Sequence, residues 1–492
     1  MKVIQMKVKM MRKTLAVAIA LGALLTAACA VGPNYREPPI APAEVRNARS
    51  AEFAARSPEA SWWQEFEDPE LDALMGRALA ENLDLRSAYD RVKAARAVFV
   101  ERNFDYAPHV QLDGSYSHFD EQQPGFGTGR LNAQSDSLGF DAAWELDLFG
   151  RVRRSVEAAR ADLGAERANY RDAQVTVAAE VARNYFELRG AQQRLAVALE
   201  NLATERQTLD LTLLLDETGR GSELDVQRSR ARLKATEATI PPLQAAEKQA
   251  AYRLAVLLGE RPGQLDEELH PAVVATYAKV LPIGDPAELL RRRPDVRAAE
   301  RQLAAATARV GVAKADLFPR VDVTGFIGFL SGDVGRLFAT GAGDNARAWS
   351  VTPTVSWAAF DYGSIHARLR ASKAQSDAAA ANYQKVVLTA LEDTENSFVA
   401  YSSRQAQLKS LSEQEQSSRR AAEIAEIQYR EGVADFLVLL DAQRTQLEAQ
   451  DAVAQAETSV NVAVVAIYKA LGGVGQPLRD EADAAPKLAR LP

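Results

Sequence analysis

Residues 150–216 read GRVRRSVEAARADLGAERANYRDAQVTVAAEVARNYFELRGAQQRLAVALENLATERQTLDLTLLLD, and this stretch decides the fold. Val152, Val156, Ala159, Leu163, Tyr170, Ala173, Val177, Val181, Tyr185, Leu188, Ala191, Leu195, Leu199, Leu202, Leu209 and Leu213 mark an apolar series spaced three or four apart with few breaks. That is the period of one helix face. No proline interrupts the stretch, and Gly164 and Gly190 are its only internal glycines. A continuous helix of this length runs roughly 100 Å at ~1.5 Å per residue, whereas helices of globular domains average about three turns. Such a helix forms a coiled coil, a membrane span or a strut. Its other face is rich in Arg, Glu, Asp and Gln, so it is not a span.

Upstream, Leu138, Phe140, Ala142, Trp144, Leu146 and Leu148 alternate with Ser137, Gly139, Asp141, Ala143, Glu145 and Asp147. This predicts a strand over 137–148 with one apolar face and one carrying three carboxylates. At ~3.3 Å per residue it is about 40 Å long, and tilted about 45° it covers roughly the hydrocarbon core of a bilayer. A shorter alternating run predicts a partner strand over 109–118, with a Gly/Gln/Asn-rich loop between, near 120–136. Helical spacing predicts a single helix from Pro69 to about Phe104, ended by Pro108. Downstream, Thr218-Gly219-Arg220-Gly221 breaks the long helix and a returning helix runs from Ser222 to Leu258. Pro241-Pro242 is expected to interrupt it, because proline removes a backbone donor and clashes with the preceding turn. Residues 261–284 read as a linker.

The scheme then repeats. Gly150 and Gly363, Asn169-Tyr170 and Asn382-Tyr383, Gly219 and Gly432, and Leu258-Gly259 and Leu471-Gly472 all stand 213 positions apart. Ala107-Pro108 and Phe318-Pro319 stand 211 apart. A near-constant offset over more than a hundred residues marks a duplicated strand–strand–long helix–helix unit. The first copy spans 69–260 with its long helix at 150–217. The second spans 285–472, with strands near 321–330 and 349–360 and a long helix at 363–430. The tail is 473–492.

Residues 1–28 carry five Lys or Arg and no acid, followed by the apolar run Leu15–Leu25 and then Thr26-Ala27-Ala28-Cys29. This reads as a secretory signal. Cys29 is the only cysteine and directly follows small residues, so it is expected to be acylated and to begin a lipidated arm, 29–68. The competing reading is a plain signal peptide with an incidental cysteine. Removing the five cations from the formal net charge of −7 leaves −12 on the remainder, which does not suggest nucleic acid. No apolar run after residue 30 approaches the ~20 residues of a membrane helix, so any bilayer role falls to strands. His109, His118, His270 and His366 lack metal-ligand spacing, and the Gly-rich segments lack the lysine of a phosphate-binding loop. No catalytic residues, metal or cofactor are expected.

One chain supplies four predicted strands, too few to close a barrel, and lipid does not tolerate an open sheet edge. Chains must therefore combine. Two give eight strands with a filled interior, and three give twelve with room for a pore.

Gly284-Asp-Pro-Ala-Glu-Leu-Leu-Arg-Arg-Arg-Pro-Asp-Val-Arg-Ala-Ala-Glu-Arg-Gln-Leu and Gly311-Val-Ala-Lys-Ala-Asp-Leu-Phe-Pro resemble the signature of the outer-membrane factors of tripartite efflux pumps. These are the TolC-like proteins, and Cys29-Ala-Val-Gly-Pro-Asn-Tyr resembles the mature start of their OprM/NodT lipoprotein branch. The resemblance implies a mainly α chain with a transmembrane β-barrel. It implies a homotrimer, with a twelve-stranded barrel in outer-membrane lipid and a periplasmic α-helical tunnel. Its implied partners are a periplasmic adaptor (membrane fusion) protein and an inner-membrane resistance–nodulation–division pump. The implied function is an exit duct for drugs or toxic compounds, with a protein-secretion duct or a non-conducting coiled-coil tether as alternatives.

Leu437 and Asp441 are four apart and share a helix face just past the second helix turn. Spacing alone favours ordinary helix packing for Leu437 and a solvated Asp441. The resemblance instead implies a periplasmic gate, with Leu437 an apolar plug and Asp441 an acidic ring. It also implies that Tyr429 and Arg444 tie neighbouring helices, that Gly219 and Gly432 form the tips, and that Glu223 and Asp225 line the mouth or meet the adaptor. Asp141, Glu145 and Asp147 are expected to face the barrel lumen. Only the second copy is expected to carry the Leu/Asp face.

Overall fold

The structure is a computed structural model that describes residues 30–38, 45–49, 52–56, 61–122, 129–272, 276–285, 292–338 and 346–473. The signal segment, Cys29 and the tail beyond Gly473 lie outside the described residues. In chain order the elements are β1 (Phe53–Ala54), α1 (Pro69–Glu81), α2 (Leu83–Phe104), β2 (His109–Gln122), β3 (Arg130–Leu146), α3 (Arg151–Glu217) and α4 (Glu223–Leu257). They continue with β4 (Leu281–Pro282), α5 (Pro294–Ala315), β5 (Arg320–Ser331), β6 (Arg347–Ser356), α6 (Tyr362–Arg430) and α7 (Phe436–Ala470). The long helices α3 and α6 have 67 and 69 residues, and the returning α4 and α7 have 35 each, so the duplication holds in length. The chain divides into two compact units. One draws on 1–38, 92–166 and 299–383, the other on 39–91, 167–298 and 384–492.

The first unit holds a four-stranded antiparallel sheet in the order β2-β3-β5-β6. Its register carries the sequence alternation across all four strands. Leu112 pairs with Phe140, Phe140 with Ile327, and Ile327 with Trp349. One level on, Val110 pairs with Ala142, Ala142 with Gly325, and Gly325 with Val351. Every one of these residues therefore lies on one face, and its large side chains stay in the open, with Leu112 63% and Trp349 78% exposed. The opposite face carries Gln111, Ser137, Asp141, Thr324, Ser350 and Thr352. Each hairpin is pinned at its base by a tryptophan. Trp144 Nε1 donates to the Tyr106 carbonyl and Trp357 Nε1 to the Leu317 carbonyl, both at 3.1 Å. Residues 30–38 belong to the same unit. Val31 N donates to the Phe149 carbonyl at 3.1 Å, and buried Arg154 donates to Val31 O at 3.3 Å and to Asn34 Oδ1 at 2.6 Å.

The second unit packs around aromatic residues. Trp62 stacks on Tyr468 with centroids 5.0 Å apart, and Phe66 meets Phe186 at 4.6 Å. Asp68 caps α1 by accepting from Glu70 N and Leu71 N, while its other oxygen accepts from Tyr185 Oη at 2.6 Å. Gly190 lets α3 and α7 meet closely, since a Cβ there would stand 2.8 Å from Thr458 Cγ2.

Several expectations are corrected. The helix expected over 69–104 is two helices, because Asn82 takes an extended conformation between them and caps the second. Its Oδ1 accepts from Asp84 N at 2.9 Å and Leu85 N at 3.0 Å. Pro241-Pro242 does not interrupt α4, which runs through both. Both prolines lie on the exposed side, where water can take the carbonyls that lose their donors. Much of the expected loop at 120–136 is strand, since β2 reaches Gln122 and β3 starts at Arg130. Their few apolar residues, Phe119, Leu131 and Ala133, fall on the face opposite the Leu112–Phe140 band, so the apolar alternation of the band does not continue into them. Cross-strand pairs such as Arg130 Nε to Asp120 Oδ1 at 2.9 Å accompany them. Conversely, residues 147–148 and 357–360 lie beyond the strand ends.

The second unit also repeats a pin that differs chemically between copies. Asn82 Nδ2 donates to the carbonyl of Leu257, the last residue of α4, at 2.8 Å. In the second copy Arg293 Nη1 donates to the carbonyl of Ala470, the last residue of α7, at 2.8 Å. Arg293 also holds Asp295 through Nε at 3.0 Å and Nη2 at 2.7 Å, and reaches Asp393 at 3.3 Å. Both pins satisfy a carbonyl left over at a helix end. Asn82→Ala is expected to cost about 1–2 kcal/mol, by loss of a cap and a buried bond. Arg293→Ala is expected to cost about 2–4 kcal/mol, because it strands carboxylates and carbonyls together. Thermal unfolding midpoints in detergent check this, and an equal or smaller shift for Arg293→Ala would contradict the pin.

Candidate functional site

The turns joining α3 to α4 and α6 to α7 are built alike. Gly219 and Gly432 have φ of 72° and 75°, the left-handed region glycine enters without a Cβ penalty. In the first turn Gly219 N donates to Asp216 O, and Arg220 N and Gly221 N both donate to Leu215 O. In the second, Gly432 N donates to Tyr429 O, and Val433 N and Ala434 N both donate to Gln428 O. The two sets match bond for bond at the same sequence offset. Each closes a helix by returning donors to its last free carbonyls.

Past the second turn, α7 presents two faces. Phe436 and Leu439 are buried and pack with Ala425, against which Tyr429, Leu440 and Ala442 also lie. The Tyr429 and Phe436 rings are 5.5 Å apart. Leu437 is 51% exposed, and Asp441, one turn on, is exposed beside it. Arg444 donates through Nη2 to Asp441 Oδ1 at 2.8 Å and lies 3.8 Å from Glu448. Within one chain Arg444 therefore engages its own helix. Tyr429 is tied in through its ring, and its hydroxyl pKa is raised by burial and then by the charge of Asp225. That coupling brings the two helix turns within electrostatic reach of each other.

Glu223 and Asp225 sit in the first turn of α4. Glu223 accepts from Gln227 Nε2. Asp225 accepts from Ser222 Oγ at 2.7 Å and lies 3.6 Å from Arg228. The duplication offset places Leu224 opposite Leu437 and Arg228 opposite Asp441. Leu224 is 57% exposed, much like Leu437. The exposed leucine is thus common to both copies, while the acidic residue one turn on stands only in the second. What differs is the charge one turn later, positive in the first copy and negative in the second. The fixed offset could have shown this from sequence.

Asp141, Glu145 and Asp147 belong to the first unit. Asp141 lies mid-strand, opposite Gln111 on β2 and Phe326 on β5. Glu145 is clasped by Arg151, whose Nε donates at 2.7 Å. Asp147 is past the end of β3 and caps α3, accepting from Val152 N at 3.0 Å and Arg153 N at 2.9 Å. Of the three carboxylates, Glu145 and Asp147 are held by arginines at the start of α3. Among the described residues no cluster of His, Cys, Asp or Glu is placed to hold a metal, and no helix is long and apolar enough to cross a membrane.

A family model described as outer membrane efflux protein matches residues 74–260 and 286–473. The toluene efflux pump outer membrane protein TtgC of Pseudomonas putida is 34% identical over 92% of this chain and 94% of its own length. Nodulation protein T of Rhizobium leguminosarum bv. trifolii is 30% identical over 88% of this chain and 92% of its own. The solved outer-membrane channel OprN matches with a TM-score of 0.88 and 49% identity, over 91% of this chain and 100% of that one.

The turn geometry makes a separable demand. A Cβ at Gly432 would meet nothing within 4 Å, so the cost of Gly432→Ala is conformational only, about 1–2 kcal/mol. Gly363→Ala, at a helical glycine with equally open space, is expected to be neutral or stabilising. Unfolding midpoints of the two variants check this, and equal shifts would contradict it.

Proposed function

This chain belongs to the outer membrane efflux protein family, and from that premise we propose that it works as a homotrimer whose periplasmic mouth is closed by Leu437 and Asp441. The chain is an outer-membrane protein and the exit duct of a tripartite efflux pump. The observation that carries the trimer is the sheet. Among the described residues β2 and β6 each have a side with no strand beside it, while one face is apolar across all four strands. Hydrocarbon accepts that face but not unpaired edges. Three copies joined β2 to β6 give twelve strands, enough for a water-filled bore.

The same sheet speaks against a coiled-coil tether, which needs no amphipathic strands. Cargo is chosen by the inner-membrane resistance–nodulation–division pump, reached through a periplasmic adaptor. Small apolar toxicants and drugs fit this role, and TtgC carries toluene efflux in its name. The adaptor meets the helix turns, where Glu223 and Asp225 stand on the rim.

In the trimer Leu437 and Asp441 each form a three-fold ring. The leucine ring excludes water, and the carboxylate ring, partly balanced by Arg444, favours cations. The lipid anchor at Cys29 fits the chain that follows. Val31 is hydrogen-bonded to Phe149 at the junction of β3 and α3, next to the end of the apolar band. A single acyl chain binds marginally, so the lipid assists an anchor that the barrel supplies.

Purified wild-type trimer in a planar bilayer is expected to show a small conductance that Leu437→Ala/Asp441→Ala raises several-fold. Unchanged conductance in the double variant would sink the gate, and no conductance in either would sink the duct. Cys29→Ser is expected to abolish incorporation of labelled palmitate while leaving the protein in the outer membrane. Retained label would exclude acylation at this residue.

A further inference from the structure

The polar face of the sheet carries two phenylalanine rings, Phe119 near the end of β2 and Phe326 in the middle of β5. Phe326 on β5 shares that face with Asp141 and Ser350, its direct partners on β3 and β6. Two rungs away Gly139 and Gly328 face each other across the β3–β5 ladder. A Cβ on Gly139 would stand 2.5 Å from Phe326 Cε2 and 2.7 Å from Cζ. A Cβ on Gly328 would stand 3.0 Å from the same Cζ and would also collide with the Gly139 backbone. Neither glycine has a positive φ, so backbone freedom does not explain them. They leave a shallow recess, and the far edge of the Phe326 ring occupies it.

A Cβ at Gly139 would also stand 2.8 Å from the Ile327 carbonyl oxygen, so a side chain there must displace the ring, the β5 backbone or both, and the ring is the softer of the two. We propose that the Gly139–Gly328 recess stows Phe326 against the wall and so sets the width of the bore at this level. This rests on the reading that the polar face lines the lumen of a trimeric barrel. In that barrel the recess occurs three times on one ring of height, and three displaced rings would converge on the axis. Bulky amphiphilic cargo would meet a narrow aromatic collar instead of a smooth polar wall. Phe326 is thus a determinant of the size limit of the duct rather than a core residue, and Gly139 is its positioning residue.

The test uses full-length trimer reconstituted in planar bilayers, with neutral polymers of graded size added on the barrel side. Polymer entry from that side reads the barrel without passing the helix turns. Gly139→Ala is expected to lower the largest polymer admitted, as three rings enter a twelve-stranded bore. Phe326→Ala is expected to match or exceed wild type, and Gly139→Ala/Phe326→Ala to behave as Phe326→Ala. A loss that persists in the double variant assigns the effect to backbone distortion and overturns the proposal, as does a wild-type polymer limit in Gly139→Ala. If Gly139→Ala does not assemble, Phe326→Trp, a ring too large for the recess, must lower the limit, and an unchanged limit overturns the proposal. Ser350→Cys separates the underlying reading. Modification by a charged aqueous thiol reagent upholds the luminal face whatever the polymer result. Modification only by a lipid-soluble reagent removes that face from the lumen and the proposal with it.

Discussion

An unpaired backbone group in hydrocarbon costs several kcal/mol, and the rest of this structure depends on avoiding that cost. Four strands with a continuous apolar face must lie in lipid, yet four strands cannot close on themselves. Among the described residues each chain therefore presents two edges without a neighbouring strand, at β2 and β6, which the proposed trimer completes. The demand is stricter than that of a soluble sheet, whose edges water can satisfy. In the proposed trimer it makes assembly a condition of membrane insertion.

Duplication supplies the rest with few inventions. The same three devices occur twice: a tryptophan pinning each hairpin base, a side chain capping the end of each returning helix, and a left-handed glycine closing each turn. Where the copies diverge, they diverge in charge. Neutral Asn82 becomes cationic Arg293 with two carboxylates around it, and Arg228 becomes Asp441. Divergence at conserved geometry allows one half of a pseudo-symmetric duct to respond differently from the other. In the gate reading, the second half carries the acidic ring.

The residues of the proposed gate show how far local structure goes. Phe436 and Leu439 commit one face of α7 to packing, which leaves Leu437 and Asp441 on the other by helical geometry alone. Arg444 turns to Asp441 on its own helix, so any bond to a neighbouring chain would have to compete with that pair. An exposed pair of this kind is worth little in isolation, which suits the breaking and reforming that the proposed gate requires.

Periodicity made much of this legible before any coordinates. The long helices, the repeat offset, the apolar strand faces and the turn glycines all follow from spacings within one segment, because side-chain direction has a fixed period along a helix or strand. Other features depend on pairing between distant segments and left no local mark. The strand extensions past the apolar band carry their few apolar residues, Phe119, Leu131 and Ala133, on the opposite face, so the band's pattern stops short of them. Asn82 and Arg293 look like ordinary polar residues until the helix ends they cap are brought beside them. Pro241-Pro242 reads as a break because the exposure that spares the helix is set by what packs on the other side. The recess under Phe326 exists only because the register sets Gly139 against Gly328 across strands almost two hundred residues apart. Sequence by itself determined which faces are apolar and where the chain turns, since both are local. Tertiary structure alone decided which polar groups meet and where a ring can lie, since both require surfaces from separate parts of the chain.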